Sequence, residues 1–272
     1  MVNKIFQKLG ISKLTKNMRS FENYKDLIFV LTQKEIKLRY KNNVLGYLWS
    51  IAHPLAFAFV FFIAFKVFMR IQMENYQLFL ITGLFPWQWF SNVVTSSPMM
   101  FFGGNGPIIK KVNFPRSFIP LAVVLRDTIH FILSIPVIVL FLFIYHKSPS
   151  ISWTYGVPLL LCIQFLMIYG ISLMFSSINL FFRDLEKLVT IFMTLIFYFT
   201  PIIYPVSMIP ERYQFLIYFH PLAPLILNWK NLFLNGTLDS AYLVISLAYS
   251  IVFFTVGYLI YKRLSWRFAE VL

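Results

Sequence analysis

Apolar residues fall in long blocks separated by short polar stretches, and the spacing of those blocks predicts a helical membrane protein. Val44 to Met69 is apolar except for Ser50, His53 and Lys66. Further blocks run from Gln77 to Phe102, Ser117 to Tyr145, Tyr155 to Phe182, Lys187 to Tyr204 and Ala241 to Tyr261. At about 1.5 Å per residue each can cross about 30 Å of hydrocarbon, the fifth only just. Before them, Met1 to Asn43 is polar and holds one patterned segment. Phe21, Tyr24, Leu27, Ile28 and Leu31 recur at three- and four-residue steps, with Lys25, Lys34, Lys37, Arg39 and Lys41 on the other sides. That is one apolar stripe on a helix, suited to the headgroup plane with its cations toward anionic lipid. A plain stop-transfer flank is the alternative.

Tyr213 to Leu234 resists the same reading. His220-Pro221, Pro224, Asn228 and Lys230 interrupt it, and proline both removes a backbone donor and breaks the helical ladder. Two short half-helices, forming a re-entrant pair before the last span, are expected here. Charge supports six spans over seven. With the N-terminus inside, the inner face takes the ten Lys/Arg of residues 1–43 together with Lys110, Lys111, Arg116, Arg126, Arg183, Lys187, Lys262, Arg263 and Arg267. The outer face keeps Arg70, Lys147, Arg212 and Lys230, with Lys66 near the outer end of the first span. A seventh span would move the basic tail outside, against the positive-inside rule. The predicted fold is therefore all-α. A cytoplasmic segment, 1–43, precedes a transmembrane domain, 44–272, in the plasma membrane, with both termini cytoplasmic.

Composition narrows the function. Of 272 residues 59% are hydrophobic and 12% charged, against about 45–50% and about 25% in soluble domains, which excludes an ordinary cytosolic enzyme. The net charge of +14 is explained by topology and is no nucleic-acid footprint. The lone Cys162 sits in an apolar run and is expected to be a buried, inert thiol. Residues 1–43 lack the apolar core of a cleavable signal, so the first span is expected to direct its own insertion.

Chemistry-bearing motifs are scarce. Gly103-Gly104-Asn105-Gly106 lacks the Lys-Ser/Thr and the strand–helix setting of a phosphate-binding loop, so ATP is not bound by that route. The four His residues show no metal-ligand spacing. Asp127 is the one acid placed mid-span. Neighbours on a helix point to different faces, so a direct Arg126–Asp127 pair is not expected, and Arg126 is read as snorkelling to the headgroups. Proton-coupled transport and membrane-embedded glycosyl or acyl transfer lack their usual residues.

What remains are local signatures: Arg39-Tyr40, Leu45-Gly-x-x-Trp49, Gly83-Leu-Phe-Pro-Trp87, Asn105, Lys111-x-x-Phe-Pro-Arg116, Asn179-x-x-x-Arg183-Asp184, Thr200-Pro-Ile-x-Tyr204-Pro205 and the closing Phe268-Ala-Glu270. Each is weak alone, but in this order they resemble the membrane subunit of ABC-2 type exporters. The branch resembled moves O-antigen, capsule or teichoic-acid polysaccharide. The resemblance runs from Arg39 to Glu270 and departs at His220-Pro221, where the family often has Asn-Pro. It implies a homodimer of six-span subunits paired with two separate ATP-binding subunits, which would hold ATP and Mg, so no cofactor is expected in this chain. The implied substrate is lipid-linked polysaccharide.

A permease of this kind receives mechanical work through its inner face. Arg39, Lys110, Lys111, Phe114, Pro115, Arg116, Arg183, Asp184 and Glu270 are the candidate coupling residues. Lys110 and Lys111 would form a basic knob stiffened by Phe114-Pro115; a topogenic loop is the competing explanation. For Arg183-Asp184 a helix cap with a local ion pair competes equally. Sugars stack on aromatic rings, which makes Trp49, Trp87, Trp89, Tyr198 and Tyr204 candidates for lining the path. An interfacial aromatic belt would explain any one of them as well. Export of drugs or other small lipophilic molecules is the alternative function.

Overall fold

The computed structural model describes residues 24–40, 48–68, 70, 73–102, 105 and 114–268. Among them the elements are α1 (Tyr24–Tyr40), α2 (Trp49–Phe61, continued by a π-helical stretch Phe62–Phe68), α3 (Tyr76–Ser96), α4 (Phe118–Ile144), α5 (Trp153–Asn179), α6 (Leu185–Phe199), the short α7 (Glu211–Gln214) and α8 (Leu216–Phe219), α9 (Ala223–Asn235) and α10 (Ser240–Leu264). No strand occurs among the described residues. Among the described residues three helices are long and apolar enough to cross a membrane: Phe118–Ile144, Trp153–Asn179 and Ser240–Arg267, the last including one 3-10 turn beyond α10. They coincide with the third, fourth and sixth predicted blocks.

The fifth block differs. Helix α6 ends at Phe199, five residues before the predicted limit, because Pro201 cannot continue the ladder and pushes Thr200 to extended backbone (φ −85°, ψ 133°). Helix α9 has 13 residues and so covers about 20 Å, short of the hydrocarbon thickness. The chain before it is broken at His220–Leu222, as its prolines predict.

Helix α3 is the centre of the bundle. It is buried on nearly every side, with Leu78, Leu80, Thr82 and Val93 fully enclosed, which is the signature of a helix surrounded by others. A buried amide on α5 bonds the carbonyl of Pro86 inside it. Gln164 Nε2 donates to Pro86 O at 2.9 Å, and Gln164 Oε1 accepts from Trp229 Nε1 at 2.7 Å. One side chain thus ties α3, α5 and α9, each polar atom satisfied as a low-dielectric interior demands.

Helices α5 and α10 pack most closely. A Cβ added at Gly257 would lie 2.0 Å from Gly170 O, and one at Gly170 would lie 2.4 Å from Phe254 Cα. Small residues let membrane helices approach to backbone contact, where dispersion replaces the hydrophobic drive that lipid cannot supply. Cys162, expected inside, lies exposed on α5. An apolar run in a membrane helix has a lipid-facing side as well as a packed one, and hydrophobicity cannot tell them apart.

Candidate functional site

The start of α4 and the ends of α5 and α10 meet at one end of the bundle, where α1 lies across α4. The apolar stripe of α1, expected on lipid, is used against protein: Leu27 and Leu31 are buried with Ala122 and packed by Phe114 and Phe118. On the outer side of α1, Lys25, Phe29, Lys37 and Leu38 stay exposed.

Beneath α1 lies an ionic network. Asp127 on α4, 2% exposed in its side chain, accepts from Arg39 through Oδ1 and pairs with Arg126 through Oδ2. Arg126 also reaches Glu35 at 3.6 Å, and Glu35 pairs with Lys34 at 3.3 Å. Lys34 Nζ donates to Asn105 Oδ1, and Asn105 Nδ2 donates to Met100 O at 2.8 Å. Burial holds the Lys34 pKa below its ordinary value, against the opposing pull of Glu35. The Arg126–Asp127 pair corrects the sequence expectation. The rule that neighbours do not share a helix face holds for Cβ directions, but an arginine stem is long enough to fold back, and Glu35 and Arg39 from α1 complete the set. Arg126 therefore ends in protein, not in the headgroups.

The same end gathers other candidate residues. Arg116 Nη1 donates to Ser265 O at 3.0 Å, and its guanidinium lies 5.7 Å from the ring centroid of Phe268, which is fully buried against Phe101. Ser117 N donates to Tyr261 OH at 2.9 Å. The Phe-Pro-Arg turn is thus fastened to the end of α10 by three different contacts. Arg183 lies 5.9 Å from the Phe102 ring centroid. Asp184 stands at the start of α6 without a side-chain capping bond and meets Lys187 at 4.0 Å, both well exposed, a pair worth little in stability. Lys110, Lys111 and Glu270 lie outside the described residues.

The five candidate lining rings fall into different settings. Trp87 is buried between Phe90 and Phe197, and Trp89 stacks on Phe131 with centroids 5.0 Å apart. Both serve the core of this chain. Trp49 is exposed on α2, Tyr198 is exposed on α6, and half-buried Tyr204 donates its hydroxyl to Tyr198 O at 3.0 Å. Beside them α6 buries only Val189 and Met193 and borders a wholly apolar cavity of about 320 Å³, lined in part by Phe90, Met167, Phe192 and Phe253.

Residues 26–227 match the family model described as ABC-2 type transporter. The chain belongs to that family. It is 50% identical over 247 residues to an O-antigen export system permease protein RfbA of Klebsiella pneumoniae, covering 91% of this chain and 95% of the relative. It is 29% identical over 257 residues to a Myxococcus xanthus protein of the same description, covering 93% and 98%. Polysialic acid transport protein KpsM of Escherichia coli is 26% identical over 207 residues, covering 75% and 79%.

Within this ABC-2 chain the His220 departure has a local explanation. His220 Nδ1 accepts from Leu222 N at 3.2 Å and Ala223 N at 3.0 Å, capping α9 as an asparagine oxygen would. Sequence reasoning overlooked Lys34, Glu35 and Asp127 as a unit, and it placed Lys230 among outer-face charges. The available signal was Asp127 itself, since an acid inside a span requires partners.

Proposed function

We propose that the chain is the membrane permease of an ATP-driven exporter that moves lipid-linked polysaccharide, O-antigen first among the candidates, across the inner membrane. The observation that carries this is the 50% identity to an O-antigen export permease across nearly the full length of both chains. The more distant polysialic acid transport protein extends the same reading to acidic capsule glycans as a class. In this reading two copies of the chain form the pathway, and two ATP-binding subunits hold ATP and Mg. Each copy crosses the membrane six times with both termini cytoplasmic. Residues 206–235 form a re-entrant hairpin, which the short length of α9 and the break at His220–Leu222 support.

The end that carries α1, Arg116, Arg183 and Phe268 is the cytoplasmic one and docks the ATP-binding subunits. Lys110, Lys111 and Glu270 extend that docking face, and the outer side of α1 rests on anionic lipid. The ionic network beneath α1 makes α1 and α4 one rigid body, as mechanical transmission requires. Trp49, Tyr198 and Tyr204 are the rings offered to the sugar chain.

Deletion of the gene is expected to leave finished glycan on its lipid carrier inside the cell, read by gel analysis of surface and internal glycan. Normal surface glycan in the deletion strain overturns the proposal, and altered drug sensitivity with normal glycan favours export of small lipophilic molecules. Charge reversal of Lys110 and Lys111 to glutamate is expected to leave ATP hydrolysis running while export falls at least tenfold. Unchanged export removes them from the coupling face.

A further inference from the structure

The turn that follows α6 is irregular backbone set deep in protein, and three successive carbonyls in it need donors. Lys230 Nζ donates to Pro201 O and to Ile202 O, both at 2.7 Å. Tyr76 OH, from the start of α3, donates to Ile203 O at 2.6 Å. The Lys230 ammonium also lies 3.4 Å from the ring centroid of Phe79. An ammonium has three N–H groups, so two carbonyls and one ring face use them all. Lys230 is 2% exposed, and no carboxylate among the described residues pairs with it. A buried cation without a counter-ion is costly unless dipoles replace its hydration shell, and here the turn's own carbonyls do so. The fit is close: a Cβ at Gly83 would lie 2.4 Å from Lys230 Cε.

We propose that Lys230 is a positioning residue for transport, a cation tethered to α9 that sets the 200–205 turn against α3 and so fixes the stance of Tyr198 and Tyr204. The proposal rests on the reading of those two rings as part of the sugar path. Tyr198 precedes the turn, Tyr204 closes it, and the hydroxyl of one bonds the carbonyl of the other, so the pair moves with the turn. The lysine stem reaches from α9 to carbonyls 28 and 29 residues earlier in the chain, joining α6 to the proposed hairpin at a single atom. Lysine suits this better than arginine, because its compact head takes up converging carbonyls as a bare cation would.

The test uses the full permease with its ATP-binding partner in membrane vesicles. A reporter thiol replaces buried Ile203 (Ile203→Cys) in a background where exposed Cys162 is changed to Ser. Lys230→Met keeps the stem and removes the charge. It is expected to raise maleimide labelling of the reporter at least tenfold. Glycan export is expected to fall at least tenfold while ATP hydrolysis stays within twofold. Gly83→Ala, which drives a methyl group into the lysine stem, is expected to move labelling and export the same way by a smaller factor, and it serves if Lys230→Met fails to insert. Unchanged labelling in an inserted, assembled variant overturns the tether. Raised labelling with wild-type export overturns the role in transport, and loss of ATP hydrolysis in parallel with export reduces Lys230 to a general structural residue. Normal export in a Tyr198→Ala, Tyr204→Ala double variant would sink the reading of the rings without changing the labelling result.

Discussion

Asp127→Ala is expected to be the most damaging single change at the α1–α4 junction, costing about 3–5 kcal/mol, the usual loss when one partner of a buried ionic set is removed. The reason is the unequal exposure of the set. Asp127 is 2% exposed and Arg126 13%, so removing the acid leaves arginine charge in a poorly hydrated place with only Glu35 to answer it. Arg39, at 29% exposure, can turn to solvent, so Arg39→Ala is expected to cost less than Asp127→Ala. Thermal unfolding of the detergent-solubilised permease measures both. Exchange of the pair, Arg39→Asp with Asp127→Arg, should recover part of the loss. An Asp127→Ala protein within about 1 kcal/mol of wild type would mean that the network does not hold α1.

The second large effect belongs to Gly257. A methyl group there meets Gly170 O at 2.0 Å, and the obstacle is backbone, which no rotamer change can clear. Relief requires α5 and α10 to separate by about 1 Å or more to restore ordinary contact distances, which forfeits dispersion along their whole length. Gly257→Ala is therefore expected to exceed the usual 1–3 kcal/mol of overpacking, despite a gain of about 1 kcal/mol in helix propensity. Gly257→Leu should abolish folded protein. Gly156 is the internal control: its nearest obstacle is the Leu232 side chain, Cδ1 at 2.6 Å, which can rotate away. The amount of monodisperse protein after extraction, compared between Gly156→Ala and Gly257→Ala, checks the argument. Equal yields would refute it.

These two sites also show what a single sequence discloses. Helices α4, α5 and α10 were legible to within a few residues because a long apolar run bounded by charge has one physical interpretation. The all-helical class and the family signatures were equally open to reading. The ionic network was not, since Arg39 and Asp127 are 88 residues apart and nothing local to either shows that α1 crosses α4 there. The same limit hid Lys230, which counts as one more outer charge until the turn beneath it is seen to be short of donors. Trp87 and Trp89 show the same limit from the other side. Aromatic residues look like ligand surface in sequence, yet a tryptophan between Phe90 and Phe197 is packing. The end of α6 could have been placed from Thr200-Pro201 alone, because the pre-proline restriction is local.

Phe101 and Phe268 bear on how such a chain is made. Each ring is fully enclosed and the two lie against one another, one after α3 and the other after α10. During synthesis α3, α4 and α5 exist long before α10, so a nascent chain carries Phe101 without Phe268 beside it. The Phe101–Phe268 contact therefore closes only when α10 seats. A chain that stops before α10 lacks Phe268 and Tyr261 together, so Phe101 loses its partner ring and the end of α10 that seats that ring.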